Sequence, residues 1–98
     1  MGLGIAIQDM NHKVEQRFTD DAENTLYFLC AAQPKTCLLR GIDRYADTMF
    51  NRWQLMIILE QLEEIDVETP AQRQALEQLR RLAEVAIRQN GYLMFIGD

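Results

Sequence analysis

Alternating hydrophobic and polar positions at the start of the chain predict two β-strands. Residues 2–8 (GLGIAIQ) carry a hydrophobic side chain at every second position, which is typical of a strand with one buried face. Residues 13–18 alternate in the same way after a polar break at 9–12, so the two runs indicate an antiparallel hairpin. We expect His12, in this break, to be a solvated turn residue, because no nucleophile or carboxylate accompanies it in a recognisable catalytic pattern.

The polar run at residues 19–21 (TDD) predicts the start of a first helix. Thr19 or Asp20 would cap it, and the acidic pair suits the positive N-terminal end of a helix dipole. Pro34 ends this helix, because the residue before a proline disfavours the helical conformation. Residues 37–42 (CLLRGI) are expected to form a short strand or extended segment before a polar loop.

The most hydrophobic run of the chain, residues 50–65 (FNRWQLMIILEQLEEI), predicts a second helix. Its hydrophobic residues occur on nearly all sides of the helix, which is typical of a central core helix and favours a core position for Trp53. The run is too short to span a membrane. Asp47, Thr48 or Asn51 would cap this helix by accepting hydrogen bonds from the amides of its first turn.

A third helix and a last strand complete the pattern. The linker 66–70 ends in Thr-Pro, which predicts an N-cap with proline at the first helical position. The helix is expected to run to about Asn90 with one stripe of Leu, Ala and Ile, and to end at Gly91 as a C-terminal cap. Residues 92–96 (YLMFI) should form a strand that joins the N-terminal hairpin, because a two-stranded hairpin alone is marginal.

These elements predict an α+β fold in a single domain, residues 1–98. A small antiparallel sheet, formed by the N-terminal hairpin and the C-terminal strand, would pack against three helices. The second and third helices are joined by a short linker and should form a long helical hairpin.

The charge of the chain narrows the choice of partner. The formal net charge is −5, which disfavours a nucleic-acid partner and favours a basic protein. No basic start followed by a long hydrophobic run is present, so we expect no signal peptide, no membrane association and a cytoplasmic location.

The two cysteines and the single histidine limit the chemistry that the sequence can support. Cys30 and Cys37 are too few for a disulfide scaffold, and we expect two small buried thiols. Zinc sites need several Cys and His ligands at short spacings, so we expect no metal site and no cofactor.

Two motifs, YADTMFNRWQ at 45–54 and YLMFIGD at 92–98, carry a resemblance. They resemble a family of small bacterial proteins of unassigned function with the pattern Tyr-Gly-Asp-Thr-x-Phe-Asn, then Gln, and a C-terminal Phe-Ile-Gly-Asp. Ala46 takes the place of the glycine here, and neither motif names a reaction. In size and acidity the chain also resembles the immunity proteins that neutralise polymorphic bacterial toxins, which implies a protein that binds and blocks a toxin.

The densest mixture of polar and aromatic residues lies between 40 and 54, and loops on a rigid scaffold are where binding groups usually lie. A solvated loop followed by a helix cap would explain the same residues, just as a solvated helix end would explain the acidic cluster at 60–68. If these two regions bind a partner, the expected contacts are Asp43, Arg44, Tyr45, Asp47, Asn51, Trp53, Glu60, Glu63 and Glu64.

The sequence therefore favours a non-enzymatic protein-binding inhibitor, an immunity protein for a basic toxin domain. We expect no catalytic residues, because nothing in the spacing of the polar residues at 43–51 selects a reaction. The alternative is a homo-oligomeric or ligand-responsive assembly module, in which the broad hydrophobic faces of 50–65 and 71–87 would form a homodimer. The last strand is also expected to bring Asp98 near Arg40, Arg44 or Arg52 as a structural ion pair.

Overall fold

The N-terminal alternation forms the predicted hairpin in the computed structural model, which describes residues 3–97. Strand β1 (Gly4–Gln8) pairs antiparallel with strand β2 (Val14–Thr19), with a register shift between Ile7 and Gln8. Gly2, which the prediction placed in the first strand, lies outside the described residues.

The hairpin turn is closed by one carboxylate and one left-handed residue. The Asp9 carboxylate accepts hydrogen bonds from the amides of Asn11 and Lys13, both at 2.9 Å. His12 is exposed and has a φ of 64°. The prediction of a solvated turn residue is confirmed, although the ring also stacks on Tyr92, with the ring centroids 4.3 Å apart.

The first helix starts later than the sequence predicted. Helix α1 spans Thr25–Ala31, because Asn24 before it adopts a left-handed conformation with φ 56°. Both residues of the acidic pair still accept hydrogen bonds from the first turn of this helix, although they lie several residues before it. The Asp20 carboxylate accepts hydrogen bonds from the amides of Leu26 and Tyr27 at 3.0 and 2.9 Å.

The expected extended segment at 37–42 is instead a 3₁₀ turn at Leu38–Gly41. Helix α2 (Arg52–Leu62) holds this segment in place through the amide side chain of Gln61. The Gln61 side chain accepts a hydrogen bond from the Leu38 amide and donates one to the Thr36 carbonyl, each at 3.0 Å.

Helix α3 (Pro70–Arg88) starts as predicted, with Thr69 as N-cap and Gln72 completing a capping box. Its C-terminal end differs in detail from the prediction. Asn90, with φ 54°, is the left-handed residue, and no described glycine has a positive φ. The amides of Asn90 and Gly91 donate to the carbonyls of Ile87 and Ala86, which is a Schellman motif. Gly91 is needed for another reason, because a β-carbon there would collide with the Gln8 carbonyl group.

The last strand, β4 (Tyr92–Ile96), joins the hairpin by pairing antiparallel with β1, as predicted. A further strand, β3 (Thr48–Phe50), pairs with the other side of β4 and was not predicted. Within residues 3–97, the sheet therefore has four strands in the order β2-β1-β4-β3.

The three helices pack on one face of this antiparallel sheet, so the predicted α+β class is confirmed. The buried sheet face carries alternate residues of the two central strands, and both cysteines are buried free thiols as predicted. The largest fully buried side chains belong to Phe95, Ile7, Leu39, Leu55, Ile58, Leu79, Leu93 and Cys30.

Candidate protein-binding surface

Helix α2 has two hydrophobic faces, of which only one belongs to the core. Leu55, Ile58 and Leu62 are buried. On the other side, Trp53 is 75% exposed and both Met56 and Ile57 are 42% exposed. Residues three and four apart lie on one face of a helix, so these three side chains form a single stripe directed to solvent.

The predictions of a central core helix at 50–65 and of a buried Trp53 were therefore wrong. Leu55 is two positions after Trp53, which places it about 200° around the helix and directs it to the core instead. The pattern predicted a helix with hydrophobic residues on nearly all sides, in an arc wider than a surface helix needs. It did not indicate that neighbouring elements would cover only half of that arc.

A capping box fixes the position of Trp53. The Asn51 side chain accepts a hydrogen bond from the Gln54 amide at 2.9 Å, and the Gln54 side chain accepts one from the Asn51 amide at 2.9 Å. The predicted capping role of Asn51 is confirmed. Trp53 consequently lies in the first turn of a well-capped helix that follows directly after an edge strand.

An open depression of about 630 Å³ lies beside Trp53 at the start of α2. Met10 and Tyr92 form its other hydrophobic walls, and Arg52 and Asn90 belong to its polar lining. Because the Tyr92 ring stacks on His12, the hairpin turn that carries Met10 is held against this end of the sheet. The depression is wide and shallow, which suits a protruding side chain of a protein better than an enclosed small molecule.

The outer face of the sheet, away from the helices, continues this hydrophobic surface. The register places Arg17, Ala6, Met94 and Met49 in one row across the four strands. Met49, on the edge strand β3, is 42% exposed. Hydrophobic side chains therefore follow the β3–β4 edge between the two ends of β4.

The Tyr45 loop (residues 43–47) lies at the other end of that edge. The Asp43 carboxylate accepts a hydrogen bond from the Tyr45 amide at 2.8 Å, and the Asp43 amide donates to the Thr48 hydroxyl at 3.2 Å. Gly97 lies directly against the backbone of Ala46. The loop is therefore braced at several points while Tyr45 itself remains 75% exposed.

Three aromatic rings surround the guanidinium group of Arg44. Its central carbon is 5.6 Å from the ring centroid of Tyr27, 5.7 Å from that of Phe28 and 5.9 Å from that of Tyr45. These distances are within the range of cation–π attraction. Phe28 is nevertheless 52% exposed, so the cluster joins α1 to the Tyr45 loop at the surface of the protein.

Acidic residues follow the hydrophobic stripe of α2 toward the C-terminal end of that helix. Glu60 is exposed three positions after Ile57 and therefore lies on the same side of the helix. Glu63 and Glu64 are also exposed, and Glu63 forms a surface ion pair with Arg80 at 3.0 Å. Exposed pairs of this kind contribute little to stability, so Glu63 can exchange partners at low cost.

All nine side chains proposed from the sequence are exposed, and they fall into two groups. Asp43, Arg44, Tyr45 and Asp47 lie in the Tyr45 loop, and the other five lie at or near α2. The exposed hydrophobic residues beside these groups were not among the predicted contacts, and only the alternative of a homodimer through the face of 50–65 anticipated a free hydrophobic surface on α2. In the sequence, the only signal of this hydrophobic surface was the spacing of Met56 and Ile57 from Trp53. Tertiary structure alone brings four further residues to the surface: Met10, Phe28, Met49 and Tyr92.

Within residues 3–97, no group of three or more His, Cys, Asp or Glu residues could hold a metal ion. None of the helices in that range is both long enough and hydrophobic enough to cross a membrane. The predicted ion pair of Asp98 lies outside the described residues. Comparison with protein-family models, curated proteins and solved structures found no match.

Proposed function

We propose that this chain is a non-enzymatic protein-binding inhibitor, an immunity protein that neutralises a bacterial toxin by direct binding. The observation that carries the proposal is the stripe of Trp53, Met56 and Ile57 on the exposed side of α2. Contiguous exposed hydrophobic surface marks interaction sites, and tryptophan is among the residues that contribute most to protein interfaces.

The setting of Trp53 supports a binding role more strongly than its exposure alone. A side chain on a capped helix loses little conformational freedom when a partner binds, so less of the interaction free energy is spent on ordering it. The depression between Trp53, Met10 and Tyr92 offers space for a side chain of the partner. This combination of a protruding anchor and an adjacent recess is complementary to a structured protein surface.

The charge supports a basic partner. The chain has a formal net charge of −5, and Glu60 adjoins the hydrophobic stripe on α2. Acidic side chains beside a hydrophobic anchor would steer a basic toxin domain into contact and disfavour acidic competitors. The size and acidity that resemble immunity proteins make a toxin domain the first partner to test.

A growth experiment tests the proposal. Each protein encoded by a gene adjacent to the gene of this chain is expressed with and without the protein to test for toxicity, and the purified proteins are mixed to detect a complex. We expect rescue of growth together with a stable complex. Toxicity without rescue and without a complex would exclude that pairing.

Charge reversal provides a matched comparison for the same experiment. Glu60→Arg should weaken the complex, while Glu84→Arg makes the same change in charge at an exposed position of α3 and should leave it intact. Equal effects of the two variants would indicate a response to net charge and not to the surface of α2.

A homo-oligomeric assembly module is the second candidate. The specific observation that favours it is the outer face of the sheet at the β3–β4 edge, where the exposed Met49 lies beside the partly exposed Met94. Light scattering at micromolar concentration distinguishes the candidates. A dimer that Met49→Lys converts to a monomer would support the assembly module, and a wild-type monomer would exclude it.

A further inference from the structure

The aromatic cluster around Arg44 retains open surface that the internal contacts do not use. Arg44 approaches the rings of Tyr27, Phe28 and Tyr45, yet Phe28 is 52% and Tyr45 75% exposed. An aromatic ring attracts cations at both of its faces, because the negative part of its quadrupole lies above and below the ring plane. The exposed parts of these two rings are therefore open to a second cation from solvent.

We propose that this cluster is a second contact point of the partner interface and takes an arginine or lysine side chain of a basic partner. The inference rests on the proposed function, because that function supplies the basic partner. Charge favours it locally as well, since residues 43–47 carry two exposed carboxylates, Asp43 and Asp47, against the single guanidinium of Arg44. Aromatic faces beside carboxylates attract a cation and disfavour an anion.

The aromatic cluster around Arg44 and the side chain of Trp53 lie at opposite ends of β4. β3 and β4 are antiparallel, so the Tyr45 loop lies beside Gly97 at one end of β4, and Trp53 lies beside Tyr92 at the other. Five strand residues extend about 17 Å. A protein–protein interface of ordinary size, about 800 Å² on each partner, is wide enough to include both ends.

The Tyr45 loop is also pre-organised for such a contact. Its backbone is fixed by the hydrogen bonds of Asp43 to the Tyr45 amide and to the Thr48 hydroxyl. Arg44 attaches the loop to α1 through the rings of Tyr27 and Phe28. A braced loop with a protruding tyrosine loses little conformational entropy on binding, which is a property of interface anchors.

A peptide titration tests the contact without the toxin. A hexa-arginine peptide is added to the protein, and the backbone amide shifts are followed by NMR. We expect the largest shifts at Phe28 and at residues 43–47. Replacement of each ring by leucine, Phe28→Leu and Tyr45→Leu, should weaken this binding about two- to five-fold per ring, because leucine keeps the hydrophobic volume but removes the cation–π attraction.

Controls separate this attraction from general electrostatics. Gln78→Leu, at an exposed position of α3 outside both proposed contact points, should leave peptide binding at the Tyr45 loop unchanged, and a hexa-glutamate peptide should produce no shifts there. Circular dichroism of the double variant Phe28→Leu/Tyr45→Leu verifies that it is folded. Shifts confined to the acidic residues 60–68, or wild-type affinity in the double variant, would overturn the inference.

The complex with the toxin then distinguishes failure of this inference from failure of the proposed function. If Trp53→Ala weakens the complex but Phe28→Leu/Tyr45→Leu does not, the second contact point is wrong and the proposed function stands. If no complex forms with the toxin, the proposed function fails for that toxin, and the peptide titration alone decides whether the cluster binds cations.

Discussion

Gly97 lies so close to Ala46 that no side chain fits between their backbones. A β-carbon at Gly97 would lie 2.5 Å from the Ala46 carbonyl oxygen and 2.7 Å from the Tyr45 carbonyl carbon. This approach joins the two short motifs of the sequence, because Ala46 belongs to the first and Gly97 to the second. It also holds the Tyr45 loop against the end of β4, so the position of the exposed Tyr45 depends on Gly97, a residue 52 positions later in the chain.

The first prediction concerns this contact. Gly97→Ala should lower the free energy of unfolding by about 1–3 kcal/mol, because the backbone of the Tyr45 loop must move to admit the methyl group. Gly41→Ala is the matched control, since nothing lies within 4 Å of a β-carbon at Gly41, and it should change stability by no more than about 0.5 kcal/mol. Urea unfolding of both variants is the measurement, and equal stability of the two would contradict the close approach.

The second prediction concerns the reactivity of Cys30. Burial, followed by the influence of Cys37 and Asp20, raises the pKa of the Cys30 thiol from 9.0 to about 12. The thiolate is the nucleophile that attacks electrophilic labelling reagents, so Cys30 should resist labelling in the native protein at about pH 8 and should react once the protein is unfolded. Peptide mass spectrometry identifies the labelled cysteine, and rapid native labelling of Cys30 would disprove the prediction.

The same raised pKa has a consequence for stability at alkaline pH. A thiol with a higher pKa in the folded state stabilises the fold fully below its unfolded pKa, near 9.0, and this contribution is lost as the pH rises toward about 12. The difference in unfolding free energy between wild type and Cys30→Ala should therefore narrow over that range. A difference that stays constant would show that Cys30 ionises as easily in the folded protein as in the unfolded chain.

The third prediction concerns Asp21 at the start of α1. Hydrogen bonds from the Thr25 hydroxyl, first, and from the Thr25 amide lower the pKa of the Asp21 carboxyl below 3.8. An acid with a lowered folded pKa stabilises the fold above its unfolded value, and the contribution disappears as the pH falls through the folded value. Thr25→Ala removes the larger cause, so an NMR titration should show the Asp21 pKa rising toward 3.8. An unchanged pKa in Thr25→Ala would contradict the assignment.

The hairpin strands β1 and β2, the last strand β4 and the last helix α3 could be predicted because their signals are local. The alternation in residues 2–8 and 13–18 gives the hairpin, and Thr69-Pro70 marks the start of α3 within one residue. These elements have a regular hydrophobic pattern or a cap that no tertiary contact overrides. The C-terminal strand was predictable for the same reason, as a short hydrophobic run after a helix end.

The elements that were missed depend on contacts between distant residues. Strand β3 has only three residues and exists because β4 offers an unpaired edge, so no local pattern could indicate it. The segment 37–42 forms a 3₁₀ turn that Gln61 holds from α2. Helix α1 starts later than predicted because Asn24 adopts a left-handed conformation, which allows the Asp20 carboxylate to reach the helix amides.

The candidate surface was predicted in part, because polar and aromatic residues indicate a binding segment but not the direction of its side chains. Trp53 shows this limit, since the hydrophobic run predicted a core position and the fold exposes it. Which of two hydrophobic faces a helix buries depends on the position of its neighbours. For α2 these are α3, β3 and the 3₁₀ turn, and they cover only the Leu55 side.

The measurement that tests the account most directly compares wild type with Trp53→Ala. The affinity of each for the toxin domain is determined by calorimetry, and the stability of each by urea unfolding. Because Trp53 is 75% exposed, its removal should change stability by no more than about 0.5 kcal/mol, while the loss of an interface anchor should weaken binding at least about 30-fold. Wild-type affinity in the folded variant would contradict the proposal that the exposed face of α2 is the binding surface.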